Sequence, residues 1–154
     1  GQRIKYHHDI IGVNSRLDTL QAAILKVKLE YLHQYTQKRN EVASFYDDAL
    51  ANVDWLKIPV RSNTSTHVFH QYTLQIREAR DRNAFKLYLE AKGIPSMIYY
   101  PVPLHLQQAY RRHDSPEGTF PVTEKLAKTV ISIPIHTEMT HEELEYIVDT
   151  IRKF

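Results

Sequence analysis

Leu17, Leu20, Ile24, Val27 and Tyr31 recur at helical spacing, and Leu25, Leu29 and Leu32 widen the same stripe. Behind them Tyr35, Val42, Phe45 and Ala49 fall on one side of a second helical stretch. The spacing predicts helices over 17–32 and 34–51, continuous through a bend or folded as an antiparallel hairpin. A pair this long must bury its stripes, so it forms a hairpin or a bridge between domains. Asp18 or Ser15 can cap the first helix, because each side chain accepts from a free N–H of the first turn.

Shorter elements follow. Residues 52–59 read as a turn and then a short extended piece, and "RSNTST" (61–66) as a polar loop. "HVFHQYTLQIR" (67–77) is aromatic, β-branched and partly alternating, which predicts a strand. Asp81 caps a helix carrying Phe85, Leu87, Tyr88 and Leu89, which ends at Gly93. "IPSMIYY" (94–100) predicts a second strand, and "PVPLHLQQAY" a short helix after two prolines. Pro121 opens another short helix that ends near Lys128. "VISIPI" (130–135) predicts a third strand. Thr140 and Glu143 form a capping box for a last helix with Leu144, Ile147, Val148, Ile151 and Phe154 on one face. Residues 1–13 read as an incoming strand or extended segment. The order implies an α/β layer: a small sheet of about three strands, at least partly antiparallel, covered by helices.

Totals narrow the function classes. The chain has 154 residues, 42% hydrophobic and 25% charged, a globular balance. A net charge of +2 is too mild for a nucleic-acid or anionic-membrane surface. There is no cysteine for disulfides or thiolate metal sites. No apolar run approaches the roughly 20 residues that cross a bilayer, and no signal peptide opens the chain. A cytoplasmic protein is expected. With only 4 glycines the chain is poorly supplied for its own phosphate-cradling loop. It starts Gly-Gln-Arg, so it reads as a piece of something larger.

Two clusters carry candidate chemistry. In "GVNSRLDTLQAAIL" (12–25), Gly12 permits a close backbone approach, Asn14 offers an amide and Arg16 a planar fork. Together with the helix start they suit an anion, although spacing alone favours a simple cap with a solvated Arg. In "YYPVPLH" (99–105), Tyr99 and Tyr100 end a strand, prolines stiffen the exit and His105 follows. That suits a pocket wall for a polar ring, or two tyrosines packed on the core. His67 and His70 would lie on opposite faces of a strand, and His7 and His8 would likewise point apart, so a metal site is not expected. Arg111, Arg112 and His113 read as a solvated loop. Neither a nucleophile triad nor a glycine-rich phosphate loop is evident.

Read together, "GVNSRLDTLQAAIL", "KLEYLHQYTQKRNEVASFY", "HVFHQYTLQI", "KGIPSMIYYPVPLHLQQAY", "FPVTEKLAKTVISIPI" and "MTHEEL" resemble the pyridoxal-phosphate-dependent sugar-nucleotide aminotransferases of the DegT/DnrJ/StrS type. The likeness runs through essentially all 154 residues. Ser15 stands where the family often has an aromatic. "HHDIIGVNSRLDTLQAAIL" is most similar to enzymes that aminate a UDP-linked 2-acetamido-3-oxo-glucuronate.

The resemblance implies the C-terminal portion of a fold type I enzyme, like aspartate aminotransferase. Residues 1–16 would end the large-domain connection, 17–52 form the bridging helix pair, and 53–154 form the small α/β domain. It implies pyridoxal 5'-phosphate as cofactor, glutamate as amino donor, a keto-sugar nucleotide as acceptor, polysaccharide biosynthesis as setting, and a homodimer. Asn14 would reach the cofactor phosphate of the neighbouring subunit. Arg16 would lie near an anionic group of the substrate, and Tyr99, Tyr100 and His105 would line the sugar-nucleotide site. The family's Schiff-base lysine, in an S-F-x-x-x-K context, is expected upstream of Gly1. Here the only Ser-Phe pair, Ser44-Phe45, is followed by Ala49 at the lysine position. The 154-residue chain is therefore expected to be inactive alone. The alternative is a non-catalytic dimerisation or sugar-nucleotide-binding module.

Overall fold

A computed structural model describes residues 2–4, 7–8, 15–77, 80–107 and 115–154. The chain divides into two compact units, Gly1–His33 and Gln34–Phe154.

In the first unit, β1 (Gln2–Ile4) and β2 (His7–His8) pair antiparallel, with Gln2 opposite His8 and Ile4 opposite His7. Helix α1 (Thr19–Glu30) starts at Asp18, whose carboxylate accepts from Leu20 N–H at 2.8 Å and Gln21 N–H at 3.4 Å. Of the two candidate caps, Asp18 is the one used. Leu20, Ile24, Leu25, Val27 and Leu29 are all exposed, and α1 has no buried residue. Its apolar stripe, expected to be core, is uncovered. A one-residue break at Tyr31 precedes α2 (Leu32–Leu50).

The second unit is built on an antiparallel sheet in the order β3 (Leu56–Lys57), β4 (Tyr72–Ile76), β5 (Val130–Ile133). Tyr72, Leu74 and Ile76 alternate inward along β4, opposite the buried Ile131 and Ile133 of β5. They join Val42, Ala43, Tyr46 and Leu50 of α2, Phe85 and Leu89 of α3 (Arg82–Ala91), and Leu144, Ile147, Val148 and Ile151 of α5 (His141–Arg152) in one core. Trp55, Phe85 and Phe154 meet in this core with ring centroids 5.0–5.4 Å apart. Among the described residues a further helix, α4 (Pro121–Thr129), leads directly into β5.

Local signals match their elements. Asp81 accepts from Asn83 and Ala84 N–H at 2.7 and 3.3 Å and caps α3. Gly93 leaves α3 at φ 72°, a left-handed position that glycine takes without a Cβ penalty. Thr140 and Glu143 close their capping box with bonds of 2.8 and 3.2 Å. Pro121 opens α4.

The strands depart from expectation. Residues 94–100 form no strand: only Met97 bridges Ser132, with N–H···O distances of 3.0 and 2.7 Å. The third strand is instead Leu56–Lys57, in the piece read as merely extended. Strand β4 begins at Tyr72 rather than His67, because Phe69 adopts φ 44° and breaks the extended run. His67 Nδ1 accepts the Phe69 N–H at 2.9 Å, and the facing argument made for His67 and His70 on a strand does not apply. Among the described residues no three His, Asp or Glu are grouped to hold a metal ion, and no helix is long and apolar enough to cross a membrane.

Candidate functional site

Past Gly93 the chain is anchored by buried Ile94 and by the Met97–Ser132 backbone pair, and it then leaves the sheet. Neither Tyr99 nor Tyr100 packs into the core. They are 38% and 73% exposed, with ring centroids 5.7 Å apart in an edge arrangement. Val102 and Leu104 continue the exposed apolar strip. Of the stretch expected to be a short helix (101–110), the described residues form a 3-10 turn, Leu104–Leu106, closed by Leu106 N–H to Pro103 O at 3.0 Å, and 108–110 lie outside them. Residues 108–114, including the loop read at Arg111, Arg112 and His113, lie outside the described residues.

His105 sits on that turn and differs from the tyrosines. Its side chain is only 11% exposed, and Nε2 lies 3.0 Å from Oε1 of Glu124. The Phe120 ring meets the imidazole edge-on at 4.8 Å. Glu124 also accepts from Gly118 N–H, at 2.9 Å to Oε1 and 2.8 Å to Oε2, and from Phe120 N–H at 3.2 Å. One buried carboxylate thus ties the histidine turn, the loop before α4 and the first turn of α4 together.

The local sequence explains this knot. Pro121 starts α4, and Phe120 just before it would otherwise carry an orphan N–H. Gly118 at φ 93° lets the loop turn its own N–H onto the same carboxylate. Burial pushes the Glu124 carboxyl up, but the Gly118 and Phe120 N–H groups and then His105 pull it below the ordinary carboxylate value. It is therefore ionised at neutral pH. Sequence reading missed Glu124, Gly118 and Phe120 as parts of a site. The only local signal was an acid three residues after a helix-opening proline.

The other site candidates are placed differently. Arg16 is exposed, two residues before the Asp18 cap, and belongs to the first unit, whereas Tyr99, Tyr100 and His105 belong to the second. Gly12 and Asn14 lie outside the described residues. The described residues do not by themselves fit pyridoxal phosphate. A lysine that forms a Schiff base is set in a desolvated pocket, and no described lysine is buried. No chemical step through that cofactor is derived from them.

Comparison with known proteins follows the same lines. The family model described as the DegT/DnrJ/EryC1/StrS aminotransferase family matches residues 1–152. A UDP-N-acetyl-3-dehydro-alpha-D-glucosamine 3-aminotransferase of Acidithiobacillus ferrooxidans is 40% identical over 96% of this chain and 38% of its own length. The UDP-2-acetamido-2-deoxy-3-oxo-D-glucuronate aminotransferase of Pseudomonas aeruginosa is 37% identical over 96% of this chain and 39% of its own. The solved structure of S. venezuelae DesV, in complex with a ketimine intermediate, superposes with a TM-score of 0.86 at 34% identity. That superposition covers 99% of this chain and 40% of DesV. The chain thus spans about two fifths of the length of the relatives it matches. Solved relatives include PLP and PMP forms, and the family is pyridoxal-phosphate-dependent. With its α/β architecture, its antiparallel sheet and its match over nearly every residue, the chain belongs to the DegT/DnrJ/EryC1/StrS aminotransferase family.

Proposed function

We propose that the chain is the C-terminal portion of a cytoplasmic aminotransferase that moves an amino group from glutamate to a UDP-linked 3-keto sugar, in a homodimer and for surface-polysaccharide biosynthesis. The observation that carries this reading is the 37–40% identity, over 96% of the chain, to two enzymes named for 3-oxo or 3-dehydro UDP-sugars. In this reading residues 1–16 end the large-domain connection, 17–52 bridge, and 53–154 form the small domain. Asn14 donates its amide to the cofactor phosphate. Arg16 pairs with an anionic group of the substrate. Tyr99 and Tyr100 offer their exposed rings to the sugar nucleotide beside His105. When bound, the cofactor supplies the electron sink for amino transfer. These residues supply position and charge neutralisation.

The reading predicts that the chain alone, given pyridoxal phosphate and glutamate, forms no stoichiometric borohydride-reducible adduct at a single lysine. It also predicts a lysine in an S-F-x-x-x-K context in the coding sequence ahead of Gly1. Turnover by material of 18.1 kDa intact mass would overturn the division of labour. A non-catalytic assembly module is the second reading, favoured by the uncovered apolar face of α1. Titration with UDP-sugars alongside sedimentation separates the two, since self-association without ligand binding supports the module alone.

A further inference from the structure

We propose that Glu124 is a positioning residue for His105: its carboxylate selects the imidazole tautomer protonated at Nε2 and leaves Nδ1 proton-free, to accept a hydrogen bond from a hydroxyl of the sugar nucleotide. The tautomer rests on the bonds made to an ionised Glu124, and the identity of the donor rests on the sugar-nucleotide reading above.

An ionised carboxylate has no proton to offer, so across the 3.0 Å contact to Oε1 the imidazole Nε2 must be the donor. Glu124 is kept in that state by N–H groups of Gly118 and Phe120, which bind the same two oxygens. The carboxylate cannot swing away, because doing so would strand those donors beside a buried charge. The edge-on Phe120 ring at 4.8 Å limits the tilt of the imidazole. In its uncharged form a ring so held has one acceptor left, Nδ1. It stands on the same short segment as the exposed rings of Tyr99 and Tyr100. Carboxylate–histidine pairs orient imidazoles at metal sites by the same logic, with the outer partner acting only through the ring.

Long-range ¹H–¹⁵N spectra of the full chain, at a pH where the ring is uncharged, test this directly. H105N identifies the resonances among the nine histidines. The wild-type chain is expected to show the proton on Nε2 and a bare Nδ1. In E124Q the amide can donate as well as accept, so the tautomer preference collapses toward a mixture. A wild-type proton on Nδ1, or an unchanged tautomer in folded E124Q, overturns the positioning role. The wild-type measurement stands even where E124Q does not fold. Addition of a UDP-linked 2-acetamido sugar is expected to shift the Nδ1 resonance. A bare Nδ1 that the nucleotide sugar leaves unmoved overturns the hydroxyl-acceptor half, with the Glu124–His105 relation intact.

Discussion

At Glu124 a single carboxylate gathers donors from Gly118, Phe120 and His105, and its stability contribution has a definite pH signature. Its carboxyl lies below the ordinary value when folded, so the contribution is present above the unfolded carboxyl range and is lost as pH falls through the folded value. Urea midpoints measured down through the acid range should therefore fall less steeply in E124Q than in the wild type; equal slopes would contradict the assignment. The Tyr72 phenol has the opposite signature. Burial first, and then the 2.7 Å bond to Asp47, push it above the ordinary tyrosine value. Stability from this group is complete below the unfolded phenol value of about 10 and is lost as pH rises past it. Y72F should be less sensitive to alkaline pH while losing about 1 kcal/mol near neutrality, read from urea unfolding. Asp47 would stay paired with Arg61, whose Nε donates at 2.7 Å, so the loss should not grow into that of a stranded charge.

Elements whose signals are local were legible from the sequence. The Asp18 and Asp81 caps, the Thr140–Glu143 box and the Pro121 start depend on residues within one turn, and each stands where the spacing put it. Thr140→Ala should accordingly cost about 1 kcal/mol of stability in urea unfolding, within the usual range for a lost N-cap. The strands were less legible, because pairing is decided by distant partners. Leu56–Lys57 has little pattern of its own and is a strand because Ile76 and Gln75 lie opposite. Residues 94–100 have the composition of a strand, yet only Met97 finds a partner. Glu124 was illegible for the same reason, since His105 lies 19 residues away along the chain. Helix α1 shows another limit: its period was read correctly, but period does not reveal what covers a helix. With every residue of α1 unburied, replacing Leu20, Ile24 and Val27 by Gln should reduce dye binding and self-association in sedimentation. Unchanged dye binding and sedimentation in the folded variant would contradict this.

Across the whole molecule, a well-packed antiparallel unit carries an exposed aromatic segment and an oriented histidine, but no buried lysine among its described residues. The chain covers about two fifths of its relatives' length, and in the proposed reading it positions the substrate while the rest of the polypeptide supplies the Schiff-base lysine. Family membership was legible because the motif blocks are specific in combination. The division of labour between this chain and the rest of such an enzyme needs a functional measurement. The most direct is 2-oxoglutarate formation from glutamate and a UDP-linked 2-acetamido-3-oxo sugar, with pyridoxal phosphate supplied. It is assayed for this chain alone and for the polypeptide that includes the coding sequence ahead of Gly1. The account predicts turnover by the longer polypeptide and none by the chain. Turnover by the chain alone, or none by a folded, cofactor-loaded longer form, would contradict it.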